Sequence, residues 1–227
     1  MTPAGVGDAL VRAVRDAVAE GEIDVAVPES VVVFGRGRGV FESPVALRLG
    51  VDPEVVARRA GGVVSGPGFV RVVLGAGEMV DGILADPRYG VARVPAKAWD
   101  EWPRTFANPG FSVRYAYARA CWVGRWAREL GVGGGVLRAG ELEAELVWAL
   151  GDVPGRAGQA ERERDARPLM FCLERVAEAY HDVHERCPAV PKGDEEPLPG
   201  RVGLARAVET VLGNGLNMIG ETPRERI

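Results

Sequence analysis

A chain of 227 residues with 47% hydrophobic content and a mean hydropathy of −0.01 has the composition of a globular protein with a sizeable core, and no apolar run is long enough to suggest a membrane span. A net charge of −4 argues against a general nucleic-acid coat protein, although a local stripe of arginines can still bind RNA. Because the three cysteines form no CxxC pair and acidic residues interrupt the N-terminal apolar stretch, we expect a cytoplasmic protein without a signal peptide.

Residues 1–90 carry the pattern of a small α+β domain. Apolar residues recur at helical spacing in some stretches, and β-branched residues run together in others. A Ser-Pro and an Asp-Pro pair are typical helix starts. We predict helices at residues 6–20, 43–49, 52–60 and 78–84, and strands at residues 30–34, 63–64 and 69–74. The domain is therefore predicted to combine a small sheet with helices.

The strand at residues 69–74 follows a Gly-Pro-Gly turn. Neighbouring side chains of a strand face opposite ways, so Val70, Val72 and Leu74 are predicted to share the core face. Phe69 and Arg71 then lie together on the outer face, where a ring and a guanidinium suit RNA. The alternative is that Phe69 covers the sheet and Arg71 is a solvated charge.

Two further arginines, Arg36 and Arg38, alternate with glycines over residues 35–39. The spacing matches neither common nucleotide-binding glycine loop, so we do not expect ATP binding there. We interpret the segment as a strand-end turn with two exposed arginines. The alternative is a contact with an RNA backbone.

A linker at residues 91–107, rich in Pro and Trp, precedes a long predicted helix from Asn108 to Leu130. Asn108 is a favoured N-cap, the proline after it suits the first helical position, and glycines follow Leu130. Residues 108–131 hold 4 Arg against 1 Glu, so positive charge is concentrated here. Apolar residues occupy most of the circumference, which is typical of a central bundle helix.

Aromatic and arginine side chains give this helix two predicted roles. Phe111, Trp122 and Trp126 are predicted to belong to the core. Arg114, Tyr117, Arg119 and Arg125 are predicted to face RNA, because guanidiniums suit phosphates and aromatic rings suit unpaired bases.

Residues 108–227 are predicted to form a bundle of four helices. After the first helix, the others are predicted at residues 141–150, 168–183 and 204–219. Residues 155–167 are predicted to be a solvated loop or exposed helix, and residues 188–200 an acidic loop.

Three side chains have the spacing of metal ligands on one side of a helix, namely His181, His184 and Cys187. We treat metal binding as the minor alternative to ordinary packing. A Cys187–His184 nucleophile pair is no better supported, because no third member is apparent. The sequence predicts no cofactor, no metal site and no catalytic residue.

Four stretches carry a family resemblance, in family order. NPGFSVRYAYAR resembles the NPxFYxQYAHAR signature that opens the DALR-type anticodon-binding domain of arginyl-tRNA synthetases, which are class I enzymes. LARAVETVLGNGLNMIGETPRERI is similar to the family's final helix and closing PERM. VVSGPGFVRVVL resembles the GPGFINF strand of the N-terminal additional domain, and GVFESPVALRL its GDYxTNVAL segment.

The resemblance implies an N-terminal domain at residues 1–90, a linker at 91–107 and a DALR-type helical domain at 108–227. In the family a catalytic domain with HIGH and KMSK-like motifs stands at that junction, and neither motif occurs here. The resemblance therefore implies a tRNA-binding protein, with tRNA-Arg as the candidate, that does not aminoacylate on its own.

The resemblance also implies two sets of tRNA contacts. The anticodon side comprises Asn108, Arg114, Tyr115, Tyr117, Arg119, Arg125 and Ile227. The D-loop side comprises Phe69, Arg71, Arg36 and Arg38. Ser112, Arg114, Tyr117 and Ile227 depart from the usual Tyr, Gln, His and Met of the family, which leaves the anticodon identity open.

Two alternatives remain beside tRNA binding. One is a regulatory module that binds proteins and has lost RNA binding. The other is a trans-acting subunit whose catalytic partner is a separate chain. The expected partners are therefore tRNA and a catalytic or regulatory protein, with no membrane.

Overall fold

The computed structural model describes residues 1–190 and 196–227, so the predicted acidic loop at 188–200 lies partly outside the described residues. In these residues the helices are α1 (Pro3–Ala19), α2 (Val45–Leu49), α3 (Pro53–Ala60), α4 (Ala76–Leu84), α5 (Pro109–Glu129), α6 (Glu141–Glu163), α7 (Arg167–Arg186) and α8 (Pro199–Met218). The strands there are β1 (Phe34–Gly35), β2 (Val40–Ser43), β3 (Val63–Gly66) and β4 (Phe69–Val73). The chain divides into two compact units, Met1–Glu78 and Met79–Ile227.

The first unit contains an antiparallel sheet with strand order β1-β2-β4-β3. Val70, Val72 and Leu74 are buried against α1 and α3, as the alternation predicts, while Arg71 and Val73 are exposed. The predicted α+β class is thus confirmed for this part of the chain.

The predicted strand at residues 30–34 coincides with a strand of the structure only at Phe34, the first residue of β1. Residues 31–33 belong to no helix or strand, and Val31 and Val33 pack against α1 instead. Strands β1 and β2 form this side of the sheet, and β2 was not predicted. A run of β-branched residues favours a strand, but it does not ensure that another strand pairs with it.

The second unit is mostly helical, and α5 packs against both α7 and α8, as predicted for a central helix. The predicted break after Leu150 is wrong, because α6 continues from Glu141 to Glu163 through Pro154. Buried Val153 and Ala157 continue its apolar stripe. Proline cannot donate to the carbonyl of Leu150 four residues earlier, and the hydroxyl of Tyr89 donates to that oxygen at 3.4 Å instead. Within the described chain, no helix is long and apolar enough to cross a membrane.

Candidate nucleic-acid interface

Asn108 fixes the start of α5. Its side-chain oxygen accepts from the backbone N–H groups of Gly110 and Phe111 at 3.0 and 3.4 Å. Its amide donates to the carbonyls of Asp100 and Pro103, both at 3.0 Å. Asn108 is buried and its polar atoms are engaged, so it positions the segment before α5 relative to the helix.

Arg114 joins three segments of the second unit. Its guanidinium forms a two-point ion pair with Glu221, at 2.7 and 2.8 Å, and donates to the carbonyl of Trp99 at 3.3 Å. Glu221 also accepts from the backbone N–H of Trp99 at 3.1 Å. This planar, paired geometry holds the C-terminal segment and the residues before α5 against the helix.

An open pocket of about 300 Å³ lies beside this junction. It is lined by Ala98, Trp99, Glu101, Arg104, Phe111, Arg114, Glu221, Thr222, Arg224 and Ile227. Of the predicted anticodon-side residues, Arg114 and Ile227 meet here. Trp99, Arg104 and Arg224 were not predicted. They add an aromatic side chain and two guanidiniums, so the pocket offers three arginines and two aromatic residues to a ligand.

Next along α5 is an aromatic cluster. Tyr115 stacks on Phe111 with ring centroids 5.6 Å apart, and Phe106 meets Tyr115 edge-on at 5.6 Å. The guanidinium of Arg119 lies over the Tyr115 ring, 4.5 Å from its centroid. Cation–π contact therefore fixes Arg119 beside the cluster.

His181 anchors the other side of Arg119. Its Nε2 lies 3.1 Å from the carbonyl of Ser112, which can only accept, so Nε2 carries the proton. Nδ1 then accepts from Arg119 at 3.1 Å. Burial, with the Arg119 charge adding to it, lowers the pKa of His181 and keeps the ring neutral.

Tyr117 and Arg125 lie outside this cluster. Tyr117 is half-buried beside Gly213 and Cys121, and burial raises the pKa of its hydroxyl. Arg125 pairs with Glu225 at 2.5 Å, and that carboxylate is exposed. The predicted anticodon-side residues of α5 are thus spread along the helix and do not form one pocket.

The prediction that Trp122 and Trp126 belong to the core is wrong. Both are exposed, by 48% and 39%, and their ring centroids lie 4.5 Å apart. The partners α7 and α8 cover the face of Val113, Ala116 and Ala120, which small residues allow to pack closely. Phe111 is only partly buried.

On the sheet, Glu42 forms ion pairs with two of the predicted D-loop-side arginines. Arg71 pairs with one of its oxygens at 2.7 Å and Arg36 with the other at 2.7 Å. The two guanidiniums lower the pKa of Glu42 to about 2. Phe69 is partly buried, and Arg38 is exposed in the turn with a positive φ of 47°. Arg36, Arg71 and Glu42 therefore form one charge cluster, and Arg38 is the remaining cation of that turn.

The decisive residues missed by sequence reasoning are acidic. Glu42 and Glu221 each hold an arginine that the sequence suggested was available for phosphate. Glu42 sits opposite Arg71 in the β2–β4 register, a signal that could be read only once β2 was recognised. For Glu221, 107 positions from Arg114, no local pattern exists. Among the described residues, no group of three His, Cys, Asp or Glu side chains is placed to hold a metal ion.

Comparisons with known proteins identify a family for the helical part of the chain. A protein-family model described as the DALR anticodon binding domain matches residues 113–227. Arginine–tRNA ligase of Clavibacter sepedonicus is 37% identical over 132 residues, which cover 55% of this chain and 24% of that protein. Arginine–tRNA ligase of Paenarthrobacter aurescens is 34% identical over 157 residues, covering 62% of this chain and 28% of that protein. The chain therefore spans about a quarter of the length of these relatives, and it belongs to the family of DALR anticodon binding domains.

Proposed function

We propose that this chain binds tRNA, with tRNA-Arg as the candidate, and that the pocket at the start of α5 receives an unpaired base of the anticodon loop. The observation that carries the proposal is the pocket itself, where Arg104, Arg114 and Arg224 meet Trp99 and Phe111. The match of residues 113–227 to a family of anticodon binding domains supports the same assignment.

The chemistry of the pocket fits a single-stranded loop. Aromatic side chains stack on bases of any sequence, and guanidiniums pair with phosphates. Because Arg114 is already held by Glu221, the phosphate contacts are assigned to Arg104 and Arg224. Arg104 pairs only with exposed Glu101 at 2.9 Å among the described residues, and such surface pairs are weak. A phosphate can therefore displace Glu101.

The sheet of the first unit offers a second, separate contact with the tRNA. Arg38 is exposed, and Phe69 and Arg71 share the outer side of β4. We assign the D-loop side of the tRNA to this surface, with Arg38 as the arginine most available to phosphate.

We further propose that the 227-residue chain does not charge tRNA by itself. The HIGH and KMSK-like motifs of the catalytic domain are absent from its sequence. Amino-acid-dependent pyrophosphate exchange by the purified chain is expected to equal that of a heat-killed control. Turnover above that control would overturn this part of the proposal, and turnover only after addition of a second protein would favour the trans-acting subunit.

The pocket assignment is tested by the double variant Arg104→Ala/Arg224→Ala. We expect weaker tRNA binding and a flatter dependence of log affinity on log salt, by about 0.7–0.9 for each phosphate that the variant no longer neutralises. The matched control is Arg12→Ala/Arg15→Ala, which removes two exposed arginines from α1. Equal effects of the two double variants would show that the pocket arginines act only through nonspecific charge. If the parent chain binds no tRNA, the proposed function is overturned.

A further inference from the structure

Two tryptophans on α5 belong neither to the buried core nor to the lining of the proposed pocket. Trp122 and Trp126 stand one helical turn apart, with ring centroids 4.5 Å from each other and planes inclined by 36°. They expose 48% and 39% of their surface, although both lie on a helix that packs against α7 and α8. A protein surface rarely leaves two adjacent indoles open unless they contact something.

The pair continues the aromatic cluster of α5. Tyr115, Arg119, Trp122 and Trp126 follow one another at spacings of four, three and four residues, which places them along one side of a helix. At a rise of about 1.5 Å per residue the stripe is about 16 Å long. That length corresponds to roughly five nucleotides of a stacked strand with a rise of about 3.4 Å.

The charges beside the stripe favour a polyanion over an apolar partner. Arg119 lies within it, and Arg125 lies next to Trp126. Their carboxylate partners, Glu185 at 3.6 Å and Glu225 at 2.5 Å, are both about two-thirds exposed. Such solvated pairs contribute little to stability, so a phosphate can take the place of either carboxylate.

We propose that Trp122 and Trp126 form a stacking platform for unpaired nucleobases of single-stranded RNA, with Arg119 and Arg125 contacting the phosphates on either side. The platform extends the contact with the anticodon arm along α5, and in that respect it rests on the proposed function. Stacking on indoles is tolerant of sequence, so the platform contributes affinity and does not select the base.

The experiment measures binding of the full chain to two probes, a tRNA and an unstructured 12-nucleotide RNA. The variants are Trp122→Ala, Trp126→Ala, Trp122→Phe/Trp126→Phe and Trp122→Leu/Trp126→Leu. Each alanine is expected to weaken 12-mer binding by about tenfold, the usual effect of losing one base stack. The phenylalanine variant should keep most of the affinity, whereas leucine, which keeps the apolar surface but not the ring, should lose it.

Phe171→Ala is the matched control, because Phe171 is 66% exposed on α7 and lines a separate groove with residues of α6. It should leave binding of both probes unchanged. Since the tryptophans are exposed, the melting temperatures of all variants should stay close to that of the parent chain, which separates a defect in binding from a defect in folding.

The outcomes separate this inference from the proposed function. If tRNA binds and the tryptophan variants bind both probes like the parent, the platform is wrong and the tRNA function stands. If the 12-mer binds through the tryptophans but tRNA does not bind, the platform stands and the function is wrong. If neither probe binds, both are overturned. Equal affinity of the leucine variant and the parent would show that no aromatic ring is needed and would overturn the platform. A change in self-association alone would assign the pair to a protein contact and would also overturn it.

Discussion

The two arginine-bearing surfaces differ in where their carboxylates lie. On the sheet, one carboxylate, Glu42, holds both Arg36 and Arg71, and its side chain is only 10% exposed. On α5, Arg114, Arg119 and Arg125 each pair with a different carboxylate, and Glu225 beside Arg125 is 63% exposed. A sheltered carboxylate that holds two guanidiniums is hard to displace, whereas a solvated one competes poorly with a phosphate. The number of arginines therefore does not show which guanidiniums are open to a phosphate, whereas the exposure of their acidic partners does.

Arg114 shows that the same distinction operates within α5. Its partner Glu221 is 10% exposed and also accepts from the backbone of Trp99, so this pair maintains the pocket's shape. Arg125, eleven residues further along the helix, has only the exposed Glu225 among the described residues. The first arginine therefore holds segments of the fold together, whereas the second is the one that we propose for binding.

The largest expected effect is the loss of stability caused by a substitution in the turn before β4. Gly68 precedes Phe69 with a φ of +71°, and a Cβ added to it would lie 2.5–2.7 Å from atoms of Leu47, including its backbone. Gly68→Ala combines a left-handed alanine with a backbone clash, so we expect a loss of about 3 kcal/mol in the free energy of unfolding. Chemical denaturation of the full chain measures it.

Gly37→Ala is the control for Gly68→Ala. Gly37 has a φ of +87°, but a Cβ there would meet nothing within 4 Å. Only the backbone penalty remains, about 1 kcal/mol. Equal losses at Gly37 and Gly68 would show that the contact with Leu47 does not constrain the turn before Phe69.

The next effect concerns the sheltered pair on α5. Glu221→Ala leaves Arg114 without its carboxylate and the Trp99 N–H without its acceptor. We expect the free energy of unfolding to fall by about 2 kcal/mol, because the substitution removes a charged hydrogen-bonded pair at a partly buried site. Glu225→Ala, which removes the exposed partner of Arg125, should lose less than about 1 kcal/mol. Thermal unfolding of the two variants side by side is the measurement, and equal losses would remove the distinction between the two pairs.

A smaller effect, a gain in tRNA affinity, is expected from a substitution at Glu42. Glu42→Gln removes the charge that neutralises Arg36 and Arg71, so both become available to phosphates. We expect tRNA affinity to rise and the log–log salt slope to steepen by about 0.7–0.9 for each additional phosphate neutralised. Glu54→Gln, at an exposed carboxylate of α3, removes the same charge elsewhere and serves as the control. An unchanged affinity for Glu42→Gln would exclude the sheet arginines from the RNA contact.

Features that depend on residues close in sequence could be predicted, whereas features that depend on residues far apart in sequence could not. The cap at Asn108, the alternation of β4 and the central place of α5 depend on neighbours in sequence, and these were predicted correctly. The course of α6 through Pro154 depends on Tyr89, and the state of Arg114 depends on Glu221, both distant in sequence. The exposure of Trp122 and Trp126 depends on which face of α5 its neighbours cover, which its own composition does not reveal.

The smallest effect is the pH dependence of the His181–Arg119 contact. Burial, together with the charge of Arg119, lowers the pKa of His181 below its usual value near 6.5, and burial does the same at His184. The unfolded chain therefore binds more protons than the folded chain when the pH lies between the folded pKa and about 6.5. The stabilisation is complete above about pH 6.5 and is lost as the pH falls from there towards the folded pKa.

Melting temperature measured from pH 7.5 down to 5.5 should consequently fall for the parent chain. His181→Gln removes the titrating ring, so its curve should be flatter, and His181→Gln/His184→Gln should be flatter still, because these are the two histidines of the chain. Protonation of His181 would also place a second cation beside Arg119 and end the hydrogen bond at Nδ1, which frees the guanidinium at the edge of the tryptophan platform. A parent curve that rises on acidification, or one that His181→Gln leaves unchanged, would mean that His181 is not held neutral in the fold and that Arg119 is positioned by Tyr115 alone.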